Sequence, residues 1–251
     1  MAGHSKFKNI MHRKKAVDAK RSNAFNKHAK LIMSAARTGG ADVSTNLTLR
    51  HAIERARSDN MTKDAIARAI AKGAGGGDEK ALETITYEGY GPGGVAMLIE
   101  ALTDNRNRTV SEVRNVMDKN GGRLGDSGSV AWNFERKAVF FVAGPAEKEE
   151  EVLLVAMEAE ADDCESIEGG FEITADPTRF GIVADALEAG GFSAERSDIA
   201  SLAKTTVTLE DPDQIRKVVN LMGLLEALED VQSTASNLDW TDAALAIVAE
   251  G

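Results

Sequence analysis

The apolar residues of this chain change their spacing at the glycine-rich segment GAGGGDEK (73–80). Before this segment they recur every three or four positions, which is the spacing of one face of an α-helix. After it, short apolar runs of strand composition alternate with helical patterns. The sequence therefore predicts a helical domain, a linker over 73–80, and a following part of the α+β class.

The part before the linker is predicted to form three short helices, over about 23–37, over 46–58, and from Thr62 onward. Gly39 and Gly40 are expected to end the first helix, because glycine commonly follows a helix C-terminus. Thr62 is a residue type that caps helix N-termini. The small apolar faces of the three helices indicate a compact helical domain.

The part after the linker is predicted to hold two α+β units of ferredoxin-like character with antiparallel pairing, because short β-α-β patterns alternate there. Strands are expected at 83–90, 95–103, 171–175, 204–210 and 231–238, and helices at 109–120, 147–162, 177–189 and 213–229. The run 129–144 is expected to form two strands divided near 135–137.

Positive charge is concentrated at the start of the chain. Residues 1–80 hold 17 Lys and Arg residues and 7 Asp and Glu residues, although the whole chain has a net charge of −10. Such asymmetry is typical of a nucleic-acid-binding arm on a body of different character. The predicted nucleic-acid contacts in this arm are Lys6, Phe7, Lys8, His12, Arg13, Lys14, Lys15, Lys20, Arg21, Lys27 and Lys30.

A second predicted contact lies in TDNRNRTVSEVR (103–114), where Arg106 and Arg108 are expected in a polar loop between a strand and a helix. Solvation alone would explain such residues, but guanidinium groups also bind phosphates in a fork geometry. For GGRLGDSGSVAW (121–132) two interpretations stay open. The segment is either a turn shaped by glycine or a loop that RNA or another backbone approaches closely.

No motif assembles a catalytic or metal site. The single cysteine, Cys164, lies in ADDCESIE, where neighbouring carboxylates would suppress the thiolate form. The histidines lack metal-ligand spacing, and the glycine-rich segments lack the Lys-Ser/Thr of a phosphate-binding loop. We therefore expect a protein that is not an enzyme and that uses no cofactor, metal or small-molecule substrate. The lone cysteine and the absence of an apolar span or signal sequence favour the cytoplasm, without membrane contact.

Several ordered stretches carry a resemblance to a known family: AGHSKFKNIMHRKKAVDAKR (2–21), YEGYGPGGVA, LTDNRNRTVSEVR and GGRLGDSGSVAW. They resemble the YebC family, which includes bacterial proteins described as transcriptional regulators and the mitochondrial translational activator of cytochrome c oxidase. The family motif begins at Ala2, so no transit peptide is expected. Two positions depart from the family pattern, with Phe7 in place of the common Trp and Thr62 in place of Pro.

The resemblance implies three domains: 1–79, a discontinuous second domain formed by 80–134 and 207–251, and a third domain at 135–206 inserted in the second. It also implies a regulator of gene expression, either a ribosome-associated translation factor that aids elongation or a DNA-binding regulator of transcription. The arm lacks the pattern of a helix that reads the major groove, so RNA and the ribosome are the favoured partners. A protein adaptor with an acidic partner is the third hypothesis, and the oligomeric state is left open.

Overall fold

The computed structural model describes residues 21–75, 81–167 and 169–249. It shows an N-terminal helical region followed by two four-stranded sheets, each packed against helices. The predicted α+β class is therefore confirmed.

The helical region contains the three predicted helices, which are α1 (Arg21–Gly39), α2 (Leu47–Ser58) and α3 (Lys63–Ala74). The Asn46 side chain accepts a hydrogen bond from the Leu49 N–H, and Thr62 accepts one from the Ala65 N–H. Both residues thereby satisfy a backbone donor that the first turn of a helix leaves free. Apolar residues spaced by three and four positions form the common core, among them Ile32, Leu49, Ile53 and Ile66.

Helix α3 extends into the segment predicted as a linker, because Gly73 belongs to a close helix crossing. A Cβ atom at Gly73 would lie 2.4 Å from the carbonyl oxygen of Met33 on α1. Only a residue without a side chain lets the two backbones approach this closely. The linker prediction is wrong for 73 and 74, and its residues 76–80 lie outside the described part of the chain.

The elements after residue 80 follow in an order that alternates strands and helices. The strands are β1 (Glu83–Tyr90), β2 (Ala96–Thr103), β3 (Arg123–Leu124), β4 (Phe134–Ala143), β5 (Asp163–Ile167), β6 (Gly170–Ala175), β7 (Arg196–Ala203) and β8 (Val231–Ser236). The helices are α4 (Arg106–Lys119), α5 (Glu149–Glu158), α6 (Phe180–Ala189), α7 (Pro212–Glu226) and α8 (Asp242–Ala249).

The first sheet has the strand order β3-β1-β2-β8, with antiparallel pairing throughout. Its core packs strand β2 against helices α4 and α7, and it encloses Trp240. The second sheet has the order β5-β6-β4-β7, also antiparallel, and packs on α5 and α6. Its βαββαβ chain order is the ferredoxin-like arrangement. The strands of the first sheet have the same spatial arrangement. Strand β1, which comes first in the sequence of that unit, occupies the position that β6 occupies in the second sheet.

The second sheet is built entirely from residues that lie between β3 and β8 in the sequence, and its two ends meet at Asn133. The Asn133 amide donates to the carbonyl oxygen of Thr205 at 2.9 Å, and its Oδ1 atom accepts from the Thr205 N–H at 2.9 Å. The Lys204 N–H donates to the Asn133 carbonyl at 2.7 Å. These bonds form a neck, which we define as Asn133 with Lys204 and Thr205.

Three local predictions are wrong. Strand β4 runs without a break through Glu135–Lys137, so the run 129–144 forms one strand preceded by a short 3₁₀ turn. The strand expected at 204–210 is instead β7, which ends at Ala203, and only Val207 of that segment makes a β-bridge. Helix α4 begins at Arg106, three residues before the predicted start at 109. Strands β3 and β5 and helix α8 have no counterpart among the predicted elements.

Candidate functional site

A buried carboxylate joins the helical region to the first sheet unit. The Asp230 side chain is 1% exposed and lies at the start of β8. Its Oδ1 atom accepts from Lys30 Nζ at 2.7 Å, and its Oδ2 atom accepts from Arg108 Nη2 at 2.6 Å. The hydroxyl groups of Thr103 and Thr109 donate to the same Oδ2 atom. We call these five residues the Asp230 cluster.

The electrostatics of the Asp230 cluster favour the ionised carboxylate. Burial alone would raise the pKa of Asp230, but the hydrogen bonds from Lys30, Arg108 and Thr109 outweigh it and lower the pKa from 3.8 to about 2. The same contact raises the pKa of Arg108 above its ordinary value. A buried charge with several donors stabilises the native state only while all partners stay in place. The Asp230 cluster therefore holds the helical region in one position.

Two predicted nucleic-acid contacts, Lys30 and Arg108, belong to the Asp230 cluster, and the Lys27 ammonium donates to the Glu226 carbonyl at the end of α7. These side chains thus have structural partners within the protein. Arg108 lies in the first turn of α4 and not in a loop, which corrects the sequence-based placement, and the same is true of Arg106. The Arg106 side chain is 68% exposed and lies 3.6 Å from a carboxylate oxygen of Glu83.

The helical region also contacts the second sheet unit. The His51 ring on α2 meets the Phe180 ring edge-on, with ring centres 4.2 Å apart. Arg55 on the same helix forms an ion pair with Asp198 of β7 at 3.0 Å. Partial burial is the main cause that lowers the pKa of His51, which favours the neutral ring in this contact.

Several cations of the helical region point to solvent. Arg57, Lys63 and Arg68 are exposed, and none of them pairs with an acidic side chain among the described residues. Residues 21–75 hold ten Lys and Arg residues against four Asp and Glu residues, so this surface is positive overall. The predicted contacts Lys6, Phe7, Lys8, His12, Arg13, Lys14, Lys15 and Lys20, together with the side chain of Arg21, lie outside the described residues.

A second candidate surface lies at the opposite end of the first sheet, where a buried glutamate shapes the glycine-rich segment 125–131. The carboxylate of Glu88 accepts the backbone N–H groups of Gly128, Val130 and Ala131, each at 2.7 Å. Burial would raise the pKa of Glu88, but the three donors outweigh it and the pKa is lowered. The Glu88 carboxylate therefore fixes the backbone of the segment 125–131.

The segment fixed by Glu88 presents an exposed tryptophan. The Trp132 side chain is 68% exposed, yet its Nε1–H donates to the Ser129 carbonyl at 3.0 Å. The Tyr90 hydroxyl donates to the same carbonyl at 3.1 Å, and the Arg123 guanidinium lies 5.5 Å from the centre of the Tyr90 ring. Tyr90 and Arg123 also line an open cleft of about 370 Å³ together with Pro92 and five glycines. We call Tyr90, Arg123 and Trp132 the aromatic surface.

The sequence pattern points to the segment 121–132 but does not single out Trp132 or Tyr90 as candidate binding residues. The available signal was a tryptophan directly after a polar, glycine-rich stretch, without the apolar periodicity that would assign it to a core. The other tryptophan, Trp240, is buried in the core of the first sheet unit.

Outside these two surfaces, the described residues offer few groups suited to catalysis or metal binding. Cys164 is half-buried, and burial followed by the charges of Asp163, Glu149 and Glu165 raises its thiol pKa to about 11. The described residues contain no group of three or more His, Cys, Asp or Glu side chains placed to hold a metal ion. Within the same ranges, no helix has both the length and the apolar character needed to cross a membrane.

These features define a class of α+β protein in which a basic helical region is joined by one buried ion pair to the first antiparallel sheet unit and by a partly exposed ion pair to the second. The chain belongs to the TACO1/YebC family. The family model described as the TACO1/YebC protein N-terminal domain matches residues 5–76, and that of the TACO1/YebC second and third domain matches residues 82–238. The resemblance found in the sequence is confirmed.

Similar proteins cover almost the whole chain. A protein from Proteus mirabilis named "probable transcriptional regulatory protein" is 46% identical, and the match spans 96% of each chain. One of the same name from Aeromonas salmonicida is 48% identical over 94% of this chain and 96% of its own. The crystal structure of a conserved hypothetical protein from Aquifex aeolicus is similar with a TM-score of 0.78 and 42% identity, covering 89% of this chain and 92% of that one.

Proposed function

We propose that this protein is a cytoplasmic regulator of gene expression that binds RNA on the ribosome through its basic N-terminal region. The observation that carries the proposal is the separation of charge. Residues 1–75 hold 16 Lys and Arg residues and 5 Asp and Glu residues, whereas residues 81–251 hold 13 and 33. A basic surface binds a polyanion with release of counterions, and the acidic units confine that binding to one region. The names of the relatives support the regulatory part of the proposal.

The contacts of the helical region support RNA over specific reading of DNA. A helix that reads the major groove presents free Arg, Asn or Gln side chains to base edges. On α2, however, Arg50 donates to the Ser44 carbonyl and Arg55 is paired with Asp198. On α1, Lys27 and Lys30 contact the first sheet unit. The exposed cations suit recognition of phosphates by charge and shape, which is typical of structured RNA.

The proposal includes no catalytic step. The raised pKa of Cys164 leaves little thiolate at neutral pH, and a thiolate is the form that attacks a substrate. The sheet units would instead set the position of the basic region, because the Asp230 cluster and the Arg55–Asp198 pair connect it to both of them.

A DNA-binding regulator of transcription is the second candidate. The observation that favours it is the shared name of the relatives from Proteus mirabilis and Aeromonas salmonicida. The two candidates predict different binding partners for the same basic residues.

The test compares two variants with an equal change of net charge. In the arm variant, Lys6, Lys8, Lys14 and Lys15 become Gln. In the control variant, four exposed lysines of the sheet units become Gln, namely Lys119, Lys148, Lys204 and Lys217. Lysates that contain wild-type protein or either variant are sedimented through sucrose gradients at low and moderate salt.

Wild-type protein and the control variant are expected to sediment with ribosomes, and the arm variant is expected to stay at the top of the gradient. With single-stranded RNA, each lost phosphate contact should reduce the slope of log K against log salt by about 0.7. If wild-type protein stays at the top and retards duplex DNA, the transcription candidate replaces the ribosome. If the two variants behave alike, binding through the arm is refuted.

A further inference from the structure

The aromatic surface lies at the opposite end of the first sheet from the Asp230 cluster, and it has the chemistry of a second binding site. Trp132 is held in place by its bond to the Ser129 carbonyl, while its ring remains mostly exposed. Tyr90 shares that carbonyl and connects Trp132 to the cleft. Because Glu88 fixes the backbone beneath, the indole is presented to solvent without a large loss of side-chain freedom on binding.

We propose that the aromatic surface binds an unpaired nucleotide of single-stranded RNA. The base stacks on the Trp132 ring, and the Arg123 guanidinium contacts the adjoining phosphate. Five glycines line the cleft beside Arg123, so a sugar-phosphate chain can approach the protein backbone closely there. This inference rests on the proposed function, and it specifies single-stranded RNA as the form of RNA that this second site binds.

The charge of the cleft beside Trp132 favours a nucleotide over an apolar peptide. The residues that line the cleft include one cation, Arg123, and no carboxylate, although this part of the chain is acidic overall. A proline-rich peptide would use the aromatic rings but would gain nothing from the guanidinium. Stacking on an aromatic ring combined with a cation for the phosphate is the usual mode of single-strand recognition.

The test measures binding of the full chain to a fluorescently labelled ten-nucleotide single-stranded RNA and to the same sequence as a duplex. Stacking of one base on an aromatic ring contributes enough affinity that Trp132→Ala should weaken single-strand binding about ten-fold. Binding of the duplex should stay within about two-fold, because paired bases cannot stack on the ring. Trp132→Phe, which keeps an aromatic face, should recover most of the lost affinity. Arg123→Gln should reduce the salt slope by about 0.7.

Intrinsic fluorescence gives a second readout, because the chain has only two tryptophans and Trp240 is buried. Single-stranded RNA should quench the emission of wild-type protein and leave that of Trp132→Ala unchanged. Met157→Ala is the matched control, since Met157 is 65% exposed on α5 of the other sheet unit. Its affinity and quenching should equal those of wild type. The melting temperature of each variant shows whether it is folded.

The outcomes separate this inference from the proposed function. If wild-type protein binds single-stranded RNA, but Trp132→Ala binds equally well and no quenching occurs, the aromatic surface is not the site and the proposed function stands. If no RNA binds at all, the proposed function fails as well. If a ten-residue proline peptide quenches Trp132 and RNA does not, the surface binds protein and the inference is overturned.

Discussion

Replacing Asp230 with asparagine tests whether the Asp230 cluster stabilises the protein. The substitution keeps the shape of the side chain and removes its charge, so it imitates the protonated acid. The pKa of Asp230 is lowered from 3.8 to about 2. Each pKa unit corresponds to about 1.4 kcal/mol, so the native state should lose about 2 to 3 kcal/mol at pH 7. With a typical urea dependence of 2 to 3 kcal/mol per M, the midpoint should fall by about 1 M.

The assay is urea unfolding followed by the emission of Trp240, because this residue lies in the same core as Val231 at the start of β8. Asp213→Asn is the matched control. Asp213 pairs with Arg216 at the surface, and its side chain is 75% exposed. Exposed pairs contribute about 0 to 1 kcal/mol, so this variant should be close to wild type.

The pH dependence of the Asp230→Asn deficit gives a further check. The pKa of Asp230 is lower in the folded than in the unfolded chain, so its contribution is complete above pH 3.8 and is lost as the pH falls through about 2. The deficit should therefore be constant from pH 7 to 5 and should shrink as the pH falls from about 3.8 toward about 2. In a double-mutant cycle with Lys30→Met, the effects of the two substitutions on the free energy of unfolding should be non-additive. Residues in contact generally show interaction energies of about 0.5 to 3 kcal/mol. A deficit below about 0.5 kcal/mol at pH 7 would refute the reasoning.

Four further substitutions test other parts of the protein. Gly73→Ala should destabilise the fold by about 1 to 3 kcal/mol, because the new Cβ would lie 2.4 Å from the Met33 carbonyl oxygen. Gly181→Ala should stabilise the fold by up to about 1 kcal/mol, because a Cβ atom there has open space on a helix. If the two substitutions shift the melting temperature in the same direction, this reasoning is contradicted. Glu88→Gln should lower the free energy of unfolding by about 1 to 3 kcal/mol, because an amide N–H₂ group then faces backbone N–H donors. It should also increase the quenching of tryptophan emission by acrylamide. Unchanged stability and quenching would argue against this role of Glu88. The lowered pKa of His51 means that the unfolded chain binds its proton more readily, so stability should fall as the pH decreases through 6.5. His51→Gln should show a smaller drop in urea midpoint between pH 7.5 and 5.5 than wild type, and an equal drop would contradict the assignment.

The elements that sequence analysis predicted correctly are those whose signals are local. Helices α1 to α3 follow from apolar spacing and caps, and β1, β2, β6 and β8 follow from strand composition. The segment 204–210 has a similar β-branched composition, but among the described residues it pairs only through the Val207 bridge, and Asn133 takes the backbone of Lys204 and Thr205. Pairing with β4 selects 196–203 instead. Tertiary pairing thus overrides β-propensity.

Charged residues misled the prediction for strand β4. Glu135–Lys137 was expected to interrupt the strand, yet β4 pairs there with β7 alone, whereas its residues 138–141 lie between β6 and β7. At that end the side chains reach solvent, and Lys137 pairs with Asp162. Charged side chains are compatible with a strand segment that pairs with a neighbouring strand along only one edge.

The candidate surfaces were predictable in charge but not in geometry. Asp230 stands in the sequence LEDV, which has no feature that separates it from a solvated acid. Its partner Lys30 is 200 positions away and Arg108 is 122 positions away. Only the complete fold brings them together. The same holds for Tyr90 and Trp132, which meet at a single carbonyl group.

The neck at Asn133 has a consequence for the order in which the protein folds during synthesis. All pairing partners of strands β4 to β7 lie between 134 and 203, so that unit has what it needs once residue 203 has left the ribosome. The first sheet must wait for β8, and Lys30 must wait for Asp230. By then the neck has shortened the connection between the two halves of the first sheet unit from about 70 residues to a few, which lowers the entropy cost of joining them. The N-terminal region, although made first, can complete its contacts only after Asp230 has been made.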